Sequence, residues 1–138
     1  MSRPKAVNGF LCDDIRRENN GKLIAIGIFS KKILVNNFPC GLIVHALVNI
    51  VFDAVGDTVF KIRLTVDGQM RSEAEVGARV ESVGADWVPI PLGLITFERP
   101  SRIALSYLTN NSKWKVFHEI PIEHGPPEAF ASLGSISG

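Results

Sequence analysis

The sequence predicts an all-β fold, a two-sheet antiparallel sandwich with an immunoglobulin-like or similar Greek-key arrangement. Apolar and polar residues alternate at period two through most of the chain, turn-forming residues interrupt this alternation at short intervals, and no long segment shows helical periodicity. About nine strand candidates at hairpin spacing favour packed antiparallel sheets over a parallel sheet. A β-barrel is the alternative, because the sequence does not determine the strand order.

The first two strands are predicted to form a hairpin over residues 9–30. Two apolar runs flank a charged link that ends in Asn19-Asn20-Gly21, and Asn and Gly tolerate the positive φ that a tight turn needs. The β-branched run from Leu23 to Phe29 is typical of a strand buried on both faces. A shorter apolar piece, Ile33-Leu34-Val35, follows, and Pro39 marks a loop.

Two strands with regular alternation come next. In the first, the even positions from 44 to 52 are apolar, and the odd positions include His45 and Asn49. A turn over residues 53–57 leads to a second strand with one apolar and one polar face, so we expect its apolar face to lie in the core. The core residues predicted from these two strands are Val44, Ala46, Val48, Ile50, Phe52, Phe60, Ile62, Leu64 and Val66.

The remaining strands are predicted from the same pattern. Asp67-Gly68 forms a turn, and Pro89 and Pro91 place the strand over residues 87–96 at a sheet edge because proline cannot donate ladder hydrogen bonds. The apolar sides are predicted to be Ala74, Val76, Ala78 and Val80, then Val88, Ile90, Leu92 and Leu94, then Ile103, Leu105 and Tyr107, and finally Trp114, Val116, His118 and Ile120. Of the aromatic residues Trp87, Phe97, Tyr107 and Trp114, three fall on or next to these sides, which favours core packing over stacking on a sugar or base.

Composition and charge limit the classes of function. The domain is predicted to cover residues 1–125, and residues 126–138 form a tail rich in Gly, Ser and Pro. With 15 Lys and Arg against 14 Asp and Glu, the chain has no excess positive charge for nucleic acid or an anionic membrane. Residues 1–8 are not followed by the apolar segment of a signal peptide, and the apolar stretch 42–52 is shorter than the roughly 20 residues of a spanning helix. We therefore expect a cytoplasmic protein.

The sequence predicts no catalytic, cofactor-binding or metal site. Asp13 and Asp14 are a tempting pair, but neighbouring side chains on a strand point to opposite faces, so the two carboxylates would not converge on one substrate or cation. Isolated Asp residues elsewhere lie in turns, where their side chains bond to the backbone.

The histidines and cysteines also lack the spacing of a functional motif. His45, His118 and His124 lie in different elements, without the pattern of a zinc or hydrolase site. Cys12 and Cys40 are too few for a disulfide framework or a closed zinc site. We expect both cysteines to be reduced, packed thiols without a disulfide between them.

Several segments together resemble an uncharacterised bacterial family of unknown function. The resemblance is carried by Leu11-Cys12-Asp13-Asp14-Ile15-Arg16, Asn20-Gly21-Lys22-Leu23 and Ile26-Gly27-Ile28-Phe29, and further by residues 60–64, Asp67-Gly68 and Ile120-Pro121-Ile122. It covers most of residues 10–122, and Ser101 stands where the family pattern would have Gly. The resemblance implies a small sandwich protein and brings no established activity, cofactor or catalytic residue.

These observations predict a non-catalytic module that acts through protein–protein contacts. Small-ligand or carbohydrate binding through end loops is one alternative, and an enzyme of unrecognised type is another. We also expect a homodimer, because the mean hydropathy is +0.17 and the strand over residues 23–29 offers apolar side chains to both faces of its sheet. In the tail, Phe130, Leu133 and Ile136 recur at a three-residue step that would let one helical face dock weakly.

Overall fold

Nine β-strands build residues 4–125, the part of the chain that the computed structural model describes. The strands are β1 (Lys5–Arg17), β2 (Leu23–Phe29), β3 (Ile33–Val35), β4 (Cys40–Phe52), β5 (Gly56–Val66), β6 (Gln69–Val80), β7 (Gly84–Phe97), β8 (Ser101–Leu108) and β9 (Trp114–His124). None of the described residues belongs to a helix that is long and apolar enough to cross a membrane. The predicted tail, with Phe130, Leu133 and Ile136, lies outside the described residues.

The strands form two sheets, which confirms the predicted all-β sandwich. Sheet A has the order β2-β1-β4-β7 and is antiparallel throughout. Sheet B has the order β3-β9-β8-β5-β6, in which only the short β3 runs parallel to its neighbour, β9. β7 is an edge strand, as its two prolines predict.

The turns that join the strands follow the predicted residue chemistry. The β1–β2 hairpin turns at Gly21, whose φ is +87°, and its ends are tied by the Glu18 amide, which donates to the Lys22 carbonyl at 2.8 Å. The β8–β9 hairpin turns at Ser112, which adopts a φ of +58°. These conformations favour Gly and short polar residues, because larger side chains clash at positive φ.

The core lies between the two sheets. All nine residues predicted from β4 and β5 are buried there, and Ile103, Leu105, Tyr107, Ile120 and Phe97 join them. Alternation predicts these positions well because β4 and β5 each keep one face towards the opposite sheet over their whole length.

A β-bulge in β7 overturns the prediction for Leu94. Gly93 has a φ of +85°, and the register between β4 and β7 shifts between Val44 and His45. The extra residue reverses the alternation, so Leu94 is 66% exposed and Ile95, at 3%, enters the core instead.

A second register shift moves the apolar side of β9. It lies between Leu105 and Ser106 on β8, opposite His118 and Val116 on β9. Val116 is therefore exposed on the outer side of sheet B, and Trp114 lies there half-buried beneath the Arg63 guanidinium, 3.9 Å from its ring centre. Trp87 is 40% exposed, so both tryptophans lie outside the core, and two of the four aromatic residues, Phe97 and Tyr107, are buried there instead of the three expected.

The prediction that β2 is buried on both faces is also wrong. β2 forms the edge of sheet A and pairs only with β1. Its residues Ile24, Ile26 and Ile28 are exposed, whereas Phe29 packs against the core. Side chains of a strand point to the two faces of its sheet, and the outward side chains of β2 remain open to solvent because no described element packs over them.

Candidate protein-contact surface

The outer face of sheet A is lined by large apolar side chains. We call it the apolar face, and it consists of the outward residues Ile24, Ile26 and Ile28 of β2, Phe10, Cys12, Asp14 and Arg16 of β1, Ile43, His45, Leu47, Asn49 and Val51 of β4, and Trp87, Pro89, Pro91 and Leu94 of β7. Cys12 and Leu47 are buried on it but lie outside the core cluster. They belong to a second apolar layer on the far side of the sheet.

Exposure is concentrated on this face. Among the described residues, eleven large hydrophobic side chains are exposed, and six of them are Ile24, Ile26, Ile28, Ile43, Trp87 and Leu94. Ile43 and Leu94 are cross-strand partners, 62% and 66% exposed. A monomer rarely leaves so many contiguous apolar side chains in water, so this face has the character of a contact surface.

The outer face of sheet B is different, because cross-strand ion pairs cover it. These pairs are Lys61–Glu75 at 3.9 Å, Arg63–Glu73 at 3.4 Å, Arg79–Asp57 at 3.1 Å and Arg102–Glu119 at 2.8 Å. On the apolar face, the described residues form one ion pair, between Arg16 Nε and Asp14 Oδ2 at 3.2 Å. Sheet B therefore presents a solvated surface, and sheet A does not.

An aromatic pair occupies the end of the apolar face near the start of β1. The rings of Phe10 and Trp87 lie 5.9 Å apart at a tilt of 47°, which is a favourable arrangement for two aromatic rings. Asn49, the cross-strand neighbour of Trp87, has its Oδ1 atom buried without a hydrogen-bond partner. This end is more tightly packed than the end that carries Ile43 and Leu94.

Cys12 and His45 are cross-strand neighbours near the middle of the apolar face, which the sequence did not predict. The Cys12 thiol is directed to the His45 carbonyl at 3.8 Å, and His45 Nδ1 lies 3.0 Å from the Asp13 carbonyl. Burial raises the pKa of the Cys12 thiol, and the nearby Asp13 and Asp14 charges raise it further, despite a hydrogen bond from the Asp14 backbone that lowers it. The thiol form is therefore favoured, whereas a nucleophilic cysteine needs the thiolate.

A family model matches residues 8–112 of the chain. The chain belongs to DUF6941, a family of unknown function. The match includes the opening motif and the β5 segment that carried the resemblance, and it ends before Ile120-Pro121-Ile122. None of the curated proteins matches the chain.

The paired acidic residues of this DUF6941 chain lie on opposite sides of β1. Asp14 is on the apolar face, where its hydrogen bond to Arg16 and a further one from the Ile15 backbone lower the pKa of its carboxyl group. The Asp13 side chain lies instead against Gly27 of β2. Within residues 4–125, no group of three or more His, Cys, Asp or Glu side chains lies close enough to hold a metal ion.

The other candidate residues of the DUF6941 chain are dispersed. His118 is half-buried in β9, and burial lowers its pKa, while His124 is exposed at the end of the same strand. Cys12 and Cys40 are both free, in agreement with the prediction, and burial also raises the pKa of Cys40. The structure brings Cys12, His45 and Asp14 to one face, and it leaves the remaining candidates apart.

Among the cavities of the described part of the chain, two lie at end loops near large apolar side chains. One, of about 340 Å³, is lined by Phe52, Val80, Gly84 and Val88 among others, and the other, of about 350 Å³, by Tyr107, Thr109, Asn111 and Lys115 among others. Tyr107 is the only tyrosine of the chain, and 5% of its surface is exposed. A sugar stacks on an open aromatic ring, so these cavities match the ligand-binding alternative less well than the apolar face matches a protein partner.

Proposed function

We propose that this DUF6941 protein is a non-catalytic bacterial module of the cytoplasm that acts through protein–protein contacts on its apolar face. Its first partner is a second copy of itself. The contrast between the two outer faces carries the proposal, because the same fold covers one with ion pairs and leaves the other apolar.

Solvation energy supports a covered apolar face. Apolar surface contributes roughly 25 cal/mol for every Å² removed from water, so six large exposed side chains on one sheet face offer a substantial gain to a partner that covers them. Ile43 and Leu94 lie side by side, and Ile24, Ile26 and Ile28 form a row along β2. The surface is therefore contiguous enough for a single partner.

The chemistry of the cysteine and acidic residues supports a non-catalytic role and the cytoplasm. The raised pKa of Cys12 keeps its sulfur protonated, and Asp14 is held by Arg16. Two free thiols in a small β protein are also what a reducing compartment maintains.

Light scattering coupled to size exclusion tests the proposal on the full chain. At about 100 µM we expect a mass of twice 15.1 kDa, since even a micromolar dissociation constant leaves most of the protein dimeric at this concentration. The double variant Ile26→Lys/Ile43→Lys should be monomeric, because it places two charges in the apolar face.

The matched control places the same charges on the other sheet. Val59 and Val116 lie on the outer side of sheet B with exposures similar to that of Ile26, 44% and 48% against 41%. Val59→Lys/Val116→Lys should keep the dimer mass. A wild-type monomer at this concentration, or equal effects of the two double variants, would contradict the proposal.

A further inference from the structure

We propose that the two copies meet across a two-fold axis that crosses β1 between Asp14 and Arg16, so that Asp14 of each copy pairs with Arg16 of the other. The proposal rests on the proposed function and locates the contact within the apolar face. The axis lies in the plane between the two facing sheets, perpendicular to β1. This axis places each strand of sheet A over the same strand of the second copy, and the two stacked strands run in opposite directions.

The Asp14–Arg16 pair lies among the most exposed apolar side chains. Across β1 and β2, Asp14 is paired with Ile26 and Arg16 with Ile24. On the other side of β1, Cys12 pairs with His45, so Ile43 lies at the level of Asp14. Ile43 pairs in turn with Leu94 of β7. Any partner that covers these aliphatic side chains must therefore also meet the two charges.

The hydrogen bonds of the pair leave capacity for a second copy. Arg16 donates through Nε to Asp14 Oδ2, and Asp14 Oδ1 accepts from the Ile15 amide. The Asp14 and Arg16 side chains are 43% and 71% exposed, and a pair at such a site contributes little to the stability of one chain. A guanidinium group has five N–H donors and a carboxylate accepts about four hydrogen bonds, so each group can bind a second partner.

Opposite charges two residues apart on one strand are self-complementary under this axis. Rotation by 180° brings position 14 of one copy over position 16 of the other, and the reverse pair forms by symmetry. A parallel alignment would instead place Asp14 over Asp14 and Arg16 over Arg16, which is unfavourable. The charge pattern thus selects the antiparallel arrangement.

The apolar residues fit the same axis. Asp14 pairs with Ile26, and Arg16 pairs with Ile24. The pairing of β1 with β4 ends at Cys12 and His45, and continuing both strands from there places Ile43 and Leu94 at the level of Asp14, and Gly41 and Thr96 at the level of Arg16. Since the axis exchanges the two levels, Ile43 and Leu94 of one copy face the level of Gly41 and Thr96 in the other, and Ile26 faces Ile24. Within each copy the Leu94 side chain reaches over Gly41, where its Cδ1 atom lies 3.2 Å from the position of a Cβ atom. The axis therefore places aliphatic side chains of one copy against aliphatic side chains of the other, as in two sheets packed at a spacing of roughly 10 Å.

The size of the contact predicts modest affinity. The overlap includes much of the β1–β2 hairpin and the adjoining ends of β4 and β7, roughly 500 Å² of sheet per copy at ordinary strand spacing and rise. Specific interfaces begin at about 600 Å² per partner. The reciprocal ion pairs then contribute a larger share of the specificity than they would in an extensive apolar interface.

Charge reversal tests the axis on the full chain. Asp14→Arg alone places four basic residues at the contact of its homodimer, and Arg16→Asp alone places four acidic residues there, so we expect each dissociation constant to rise at least tenfold over wild type. In an equimolar mixture, the two basic side chains of the first variant face the two acidic side chains of the second across the axis. We therefore expect the mixture to form a heterodimer with a dissociation constant within about threefold of the wild-type value.

Light scattering for mass, and mass spectrometry of one isotopically labelled variant in the mixture, distinguish the outcomes. Far-ultraviolet circular dichroism of each variant verifies that the exposed substitutions leave the fold intact. If wild type is dimeric but the mixture stays monomeric, or if each variant alone dimerises like wild type, the axis is overturned while the proposed function stands. A monomeric wild-type chain overturns both.

Discussion

Among the described histidines, His118 has a ring nitrogen that is buried without a hydrogen-bond partner. This nitrogen is Nε2, and the residue is half-buried in β9 beside the register shift. Burial lowers the pKa of His118 because a charged imidazolium loses hydration there. The folded protein therefore binds a proton at this site less readily than the unfolded chain does.

This environment predicts a loss of stability as pH falls below the ordinary histidine pKa of about 6.5. Below that pH the unfolded chain takes up a proton that the folded chain resists, so the unfolding free energy should decrease from about pH 7.5 to about pH 5.5. His118→Leu should flatten this part of the profile. Urea unfolding across the pH range measures the change, and an unchanged profile in His118→Leu would contradict the prediction.

Leu94 and Ile95 show where residue-level prediction from the sequence ends. The alternation of β7 places Leu94 with Val88, Ile90 and Leu92, and it would be correct without the extra residue at Gly93. Nothing in the local pattern distinguishes a glycine that continues a strand from one that forms a bulge. The contribution of Leu94 to the apolar face therefore could not be predicted from the sequence, because the alternation places this residue in the core.

At the scale of a strand, Gly27 shapes β2 through a positive φ, as Gly93 shapes β7. It adopts a φ of +69° inside β2, and a Cβ atom at this position would overlap the Asp13 carboxylate on the neighbouring strand. The positive φ favours glycine, and a Cβ atom here would also force the Asp13 carboxylate to move. Gly27 thus fixes how β2 lies against β1 below the exposed isoleucines.

Gly27→Ala should lower the unfolding free energy by about 1–3 kcal/mol, because a non-glycine residue at positive φ is strained. The matched control is Gly77→Ala in β6, which has open space around the new Cβ and should be neutral or gain roughly 0.5–1 kcal/mol. Combining Gly27→Ala with Asp13→Ala should recover the steric part of the loss and leave the backbone part. Equal stability of Gly27→Ala and Gly77→Ala would show that β2 tolerates a side chain here.

The sequence predicts which segments form strands better than it predicts which strands pair with one another. The hairpins β1–β2, β5–β6 and β8–β9 follow from turn residues and alternation, which are local signals. The pairings β1–β4 and β4–β7 join segments that are distant in the chain, and no local signal encodes them. The β-branched run of β2 predicts a strand buried on both faces, and the edge position of β2 follows only from the pairing of the strands.

At the scale of the whole molecule, the two sheets share one core but differ in their outer faces. Charged residues on the outer side of β5, β6, β8 and β9 form cross-strand ion pairs, and the alternation of β5 predicts this polar face. The sequence also indicated that apolar surface would remain on the other sheet, through its hydropathy and the Leu23–Phe29 run. Which residues form that surface depends on strand order and on the β7 bulge, so it required the structure.

Self-association through the apolar face predicts a melting temperature that rises with protein concentration. A partner that binds only the folded chain stabilises it by mass action, and a hundredfold increase in concentration adds about 1.4 kcal/mol per protomer of a folded dimer. For a chain of this length that gain corresponds to roughly 3–7 °C in melting temperature.

Calorimetry of the wild type from about 5 to 500 µM should show this rise, and Val59→Lys/Val116→Lys should show the same rise. Ile26→Lys/Ile43→Lys should melt at one temperature throughout, because its folded form remains a monomer. A concentration-independent wild-type melting temperature would mean that the apolar face stays uncovered by a second copy, since reversible unfolding of a folded monomer does not depend on protein concentration.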